Sequence, residues 1–227
     1  MQNIEAIFFD LFFTLITPKY HLPQNENDIL GLSLKEWELY AENEMIYKRR
    51  AMGHVNSPEE IINEIVDSIP LTICEVQKKK LLALRKERMK NALINVKFEI
   101  VETIQKLHDN GIKICLISNA DIIDAMYWTE SPLYNLFNDA IFSYKVKCMK
   151  PNSDIYDIAI KRMNVKPEKS IFVGDGGSDE LLGAKRVGMT TVFTEYLDIK
   201  EPNKRKNIMK VSDYHIMRFA ELTSLFL

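Results

Sequence analysis

Short apolar runs separated by helix-forming stretches constrain this chain more than any other feature. They are Ala6 to Phe9, Ile112 to Ile117, Ala140 to Phe142, Ser170 to Val173 and Thr190 to Phe193. Most are rich in β-branched and aromatic residues and lack clean alternation. That pattern suits strands of a parallel sheet covered on both faces. Between them lie helical patterns. Glu99 to Asp109 places Ile100, Ile104 and Leu107 on one face, Ile155 to Met163 forms a second, and Glu180 to Val187 stops at Gly188. Strands alternating with helices predict an α/β, Rossmann-like, doubly wound parallel sheet.

One stretch breaks the rhythm. From Pro18 to Asn95 no strand is predicted, and helix-forming blocks follow one another: Leu34 to Met52, a run opening at Ser57-Pro58-Glu59-Glu60, and Glu75 to Leu93. Ser57 as N-cap, Pro58 at the first helical position and Glu60 three residues on make a capping-box start. The expected organisation is a catalytic core of residues 1–17 and 96–227, with a small all-helical cap, residues 18–95, inserted after the first strand.

Composition narrows the setting. A formal net charge of −2 with dispersed Lys and Arg gives no electrostatic reason to expect nucleic acid or a membrane as partner. Cys74, Cys115 and Cys148 are scattered without ligand spacing, which fits a reducing compartment and argues against a disulfide framework or a zinc site. The start, Met1-Gln2-Asn3-Ile4-Glu5, lacks the basic region of a signal peptide. A cytoplasmic monomer or homodimer is expected.

Ligands of open parallel sheets bind beyond the carboxyl ends of the strands. Four motifs fall there: Asp10 with Thr14 four residues later, Ser118-Asn119, Lys150-Pro151, and Gly174-Asp175-Gly176-Gly177-Ser178-Asp179. A carboxylate nucleophile attacks phosphorus only if the negative charge on both partners is offset. Mg²⁺ takes hard oxygen ligands, commonly one or two carboxylates with phosphate and water. Asp10, Asp175 and Asp179 offer such oxygens, Lys150 adds fixed positive charge, and Ser118 and Thr14 offer hydroxyls.

Together these motifs resemble the four signatures of the haloacid dehalogenase superfamily, over nearly the whole span from Ala6 to Met189. The helical insertion resembles the cap of its dehalogenase and phosphoglycolate phosphatase branch. The resemblance implies that Asp10 is the nucleophile, that Ser118 binds the phosphoryl group and that Lys150 stabilises the charged intermediate. It implies Mg²⁺ as cofactor, held by Asp10, Asp175, Asp179 and the backbone carbonyl of Phe12. The implied reaction is hydrolysis of a small phosphorylated metabolite through an aspartyl-phosphate.

The sequence departs from the family in one place. Family phosphatases carry an Asp two positions after the nucleophile, as proton donor to the leaving group and then base toward water. Here that position is Phe12, and the small Gly that follows is Phe13. A phenyl ring cannot transfer a proton, and general acid–base catalysis contributes roughly 10²–10⁴-fold. The departure leaves three readings open: a phosphohydrolase with an atypical acid/base, a 2-haloacid dehalogenase-like or phosphonatase-like hydrolase (the latter needing a cap lysine such as Lys48), and a non-catalytic binding or regulatory protein. Within the insertion, Trp37, Tyr40, Glu44 and Tyr47 share one stripe of a Leu34 to Met52 helix. Arg49 or Arg50 is the candidate to reach a substrate carboxylate or phosphate. His54 is a candidate relocated base.

Overall fold

The computed structural model describes residues 4–55 and 57–227; Met1, Gln2 and Asn3, read above for a leader, lie outside them. Its centre is a parallel sheet of β1 (Ala6–Phe9), β2 (Lys113–Ser118), β3 (Asp139–Phe142), β4 (Ser170–Gly174), β5 (Thr190–Thr194) and β6 (Tyr214–Ile216), in the spatial order β3-β2-β1-β4-β5-β6. The chain winds outward from β1 through β2 to β3, then crosses to β4 and winds the other way. The switch point therefore lies between β1 and β4.

Both faces of the sheet are covered, which explains the unbroken apolar runs. Ile7 and Phe9 join Ile114, Leu116, Ile171 and Val173 in one cluster, while Ala6 and Phe8 join Cys115, Ile117 and Phe172 in the other. The period of two along each strand sends neighbours to opposite faces. Each fully buried large apolar side chain stabilises the fold by about 1.5–3 kcal/mol relative to exposure. The edge strand β6 was not predicted: Tyr-His-Ile is short and half polar, with Tyr214 exposed.

Between β1 and the core helix Phe98–Asp109, the described residues form helices Glu26–Leu30, Leu34–Ala41, Glu44–Ala51, Pro58–Asp67 and Glu75–Ile94. They pack around their own apolar cluster, including Trp37, Ile61, Ile65, Val66 and Leu81, which reaches the core at Ile123. Ser57 Oγ accepts the Glu60 N–H at 3.1 Å, so the predicted start at Pro58 is present.

The predicted Leu34 to Met52 helix is two helices. Asn43 Oδ1 accepts the N–H groups of Met45 and Ile46, at 3.1 and 3.4 Å, and so caps a new helix. The break dissolves the predicted stripe: Trp37 is buried and Glu44 exposed, while the Tyr47 hydroxyl donates to the Asn119 carbonyl at 3.0 Å. No helix among the described residues is long and apolar enough to cross a membrane.

Candidate active site

Asp10 follows β1 directly, and its backbone N–H donates to Val173 of β4 at 2.9 Å, fixing it at the switch point. Thr14 Oγ1 donates to Asp10 Oδ2 at 3.2 Å. Lys150 Nζ ion-pairs with Asp10 Oδ1 and also with Glu180 Oε2, the latter at 2.6 Å. Asn119 holds the lysine's backbone from both sides: its Oδ1 accepts the Lys150 N–H at 2.8 Å and its Nδ2 donates to the Lys150 carbonyl at 2.9 Å. Lys150 is thus aimed by the loop after β2, and both motifs act as one unit. Ser118 is fully buried beneath this loop, with its hydroxyl 3.4 Å from the Asn119 carbonyl, and it does not line the cavity.

Carboxylate oxygens of Asp10, Asp175 and Glu180 lie within 4.8 Å of one another, and all three residues are buried. Glu180 stands where Asp179 was predicted. Ser178 and Asp179 both adopt left-handed backbone, each with φ 51°, and this twist delivers the following residue to the site. Glu180 then folds back over the end of β4, where Oε1 accepts the Gly176 N–H at 3.2 Å. Gly174 makes the room, since a Cβ there would sit 2.1 Å from Glu180 Oε1. Asp179 does not line the cavity.

The electrostatics of this trio point to a cation. Burial pushes the Asp10 carboxyl up, and repulsion from Asp175 adds to it, outweighing the pull of Lys150. Burial and Asp10 likewise push Glu180 well above the carboxylate range. Lys150 stays protonated: burial alone would lower it, but Asp10 and Glu180 raise it. Buried carboxyls at this spacing repel one another, and an all-oxygen donor set suits Mg²⁺.

A cavity of about 420 Å³ opens above the trio. Phe12 and Phe13 line it without filling it, so the aromatic pair leaves Asp10 open to the cavity. Phe13 holds φ 58°, where a side chain is disfavoured and the family's glycine is at ease. Lys200 was missed by sequence reasoning; it stands in the loop after β5, ion-paired to Asp175 and Asp198, with its ammonium 5.8 Å from the centre of the Phe13 ring.

The arginines facing the cavity are Arg85 and Arg88, one turn apart on the Glu75–Ile94 helix. Arg88 is held from behind by Glu26 at 2.8 Å, lies over the Tyr20 ring, and keeps a buried Nη2 with no hydrogen-bond partner. The predicted pair sits elsewhere. Arg49 is exposed and bonded to Glu64, while Arg50 is buried between Glu42 and Asp121, each at under 3 Å, behind the cavity wall. Lys48 and His54 are exposed and do not line the cavity either.

Residues 4–188 match the family model for haloacid dehalogenase-like hydrolases. A glyceraldehyde 3-phosphate phosphatase of Methanopyrus kandleri is 26% identical over 234 residues, covering 96% of this chain and 95% of the relative. Among solved structures, a dehalogenase superposes with a TM-score of 0.70 at 18% identity, covering 99% of this chain and 98% of that one. A HAD phosphatase from Thermococcus onnurineus gives 0.66 at 23% identity, with 98% and 97% covered. At those identities the structural likeness speaks for the fold alone.

Proposed function

Because the chain belongs to the haloacid dehalogenase-like hydrolase family, we propose that it hydrolyses a small phosphorylated metabolite through an aspartyl-phosphate at Asp10, with Mg²⁺ held by Asp10, Asp175, Glu180 and the Phe12 carbonyl. The observation that carries this is the convergence of three buried carboxylates beneath an open cavity, two of them sharing the Lys150 ammonium and the third paired with Lys200. A metal-free dehalogenase has no use for such a trio, and relatives named as phosphatases point the same way.

Asp10 Oδ2, oriented by Thr14, attacks phosphorus. Lys150 neutralises charge on the transferring group, and Asn119, with Ser118 buried beneath it, forms the loop against which that group rests. Mg²⁺, when bound, offsets the repulsion between the carboxylate and the phosphoryl oxygens. Residues 18–95 serve as a cap over a core of 1–17 and 96–227, and its Arg85 and Arg88, not Arg49 and Arg50, face the leaving group. The same reading gives a cytoplasmic monomer or homodimer whose partner is its substrate, without nucleic acid or membrane.

Phosphate release from acetyl phosphate and p-nitrophenyl phosphate, titrated with Mg²⁺, tests this. Wild-type turnover is expected to require the metal. Glu180→Gln should raise the Mg²⁺ concentration for half-activation by at least ~10-fold, as loss of a charged ligand does, whereas Asp179→Asn should stay near wild type. The reverse ranking would return the ligand role to Asp179. Metal-independent turnover would remove Mg²⁺ from the proposal.

A further inference from the structure

Resting on the phosphohydrolase reading, we propose that Asp124 has taken over the proton-transfer role left vacant at Phe12. Asp124 lies on the short helix Ile122–Ala125, which begins three residues beyond the Ser118-Asn119 loop. It is buried, yet it lines the same cavity as Asp10, Lys150 and Asn119. Its two oxygens differ. Oδ2 accepts the Asp121 N–H at 3.0 Å and fixes the side chain. Oδ1 has no hydrogen-bond partner and lies 3.5 Å from Arg85 Nη2. A buried carboxylate oxygen held by one long ion pair and no hydrogen bond has room for a further partner. A proton, or a substrate hydroxyl, would do so.

Asp124 lines the cavity together with Tyr47 and Arg85 of the helical segment, with Arg85 Nη2 3.5 Å from its Oδ1. Its setting is closed by Asp121 on its own element, Arg50 and Tyr47 on Glu44–Ala51, Arg85 on Glu75–Ile94, and Glu42 at the end of Leu34–Ala41. Burial and then Asp121 push its carboxyl up, against Arg85 and Arg50, to about 6. A carboxyl in that range alternates between acid and base near neutral pH.

The protons balance over two steps. In the first, an Asp10 oxygen bonds to phosphorus, the ester P–O bond breaks, and protonated Asp124 gives its proton to the departing oxygen. In the second, a water oxygen bonds to phosphorus while the Asp124 carboxylate takes one of its protons. The bond to Asp10 breaks with its electron pair returning to the carboxylate, phosphate leaves, and Asp124 is protonated again.

Rapid mixing of Asp124→Asn with p-nitrophenyl phosphate and Mg²⁺ tests this. An aryl leaving group needs little acid help, so one p-nitrophenolate per site should appear in a burst. Steady-state release should then be slower than wild type by roughly 10²-fold or more, because the second step lacks its base. With an alkyl phosphate the burst should be absent. A steady state like that of wild type would overturn the proposal, as would loss of both burst and turnover at an unchanged melting temperature. If Asp124→Asn does not fold, the wild type decides: dephosphorylation should quicken, and alkyl-ester cleavage slow, as pH rises through 6. Rates flat across that interval would overturn it. Failure of the underlying reading looks different, because the wild type would then release no phosphate from any ester.

Discussion

Asp10→Asn is expected to reduce phosphate release on the order of 10⁴–10⁶-fold while raising the melting temperature of the metal-free protein at pH 8. The first effect follows from its position. Asp10 ends the central strand, is oriented by Thr14, and faces the cavity beside Lys150. An amide is no nucleophile toward phosphorus, and loss of a nucleophile commonly removes most of the catalytic advantage. The second effect follows from linkage. The folded protein holds the Asp10 carboxyl above its ordinary range, chiefly through burial. A group so raised contributes its full stability below the unfolded pKa, about 4, and loses it as pH rises through the folded value. At pH 8 the ionised carboxylate therefore weakens the fold, and the neutral amide does not. The gain should shrink to nothing near pH 4, which melting curves at both pH values would show. Lys150 keeps Glu180 as its partner in the variant, so no buried ammonium is orphaned. Wild-type turnover in Asp10→Asn would remove Asp10 from the mechanism. Lower stability at pH 8 would mean that the carboxylate holds the fold together.

What was legible in the sequence was whatever follows a strand. Asp10, Ser118-Asn119 and Asp175 each sit at the carboxyl end of a buried apolar run, and the topology brings such ends together. Lys150, which no strand carries, was legible through its motif, and Asn119 fixes its backbone. The second acid of the Gly174 to Glu180 stretch was not legible. Asp179 and Glu180 are adjacent, and only two consecutive left-handed residues decide which one faces the cavity. One signal was available: Gly174 leaves room at the end of β4 that only a folded-back side chain such as Glu180 would use.

The helical segment was legible as helices but not as a binding surface. Its cavity-facing residues are set by how distant helices pack, and a single residue, Asn43, rotated one helix relative to the prediction. Arg49 and Arg50 attracted attention as a neighbouring pair near aromatics. Arg85 and Arg88, three residues apart among many charges, were unmarked until the Glu75–Ile94 helix was placed over the site. Asp124 was hidden for the same reason: in sequence it is the third residue of a capped turn.

Lys150→Ala is expected to destabilise the metal-free protein by about 3–5 kcal/mol at pH 8, the usual cost of removing one partner from a buried ion pair. Lys150 is the ammonium shared by Asp10 and Glu180, and Lys200, the other cation in this part of the site, is paired with Asp175 and Asp198. Without Lys150, Asp10 and Glu180 face Asp175 and each other with no cation between them. Both carboxyls are already raised in the folded state, first by burial and then by a neighbouring carboxylate, Asp175 for Asp10 and Asp10 for Glu180, and removing the ammonium raises them further. By the same linkage, the deficit should be largest at pH 8 and should narrow as the pH falls toward 5, where the folded carboxyls take up protons. Lys185→Ala is the matching control, because that lysine pairs with Asp213 at the partly exposed far side of β5 and should cost no more than about 1 kcal/mol. Two additions separate charge from packing. Mg²⁺ should restore much of the lost stability, since it answers the same carboxylates by mass action, and adding Asp10→Asn to Lys150→Ala should recover part of it without metal. If neither recovers anything, and the deficit is the same at pH 5 and pH 8, the lysine stem rather than its charge supports the fold, and the electrostatic account of this site fails with it.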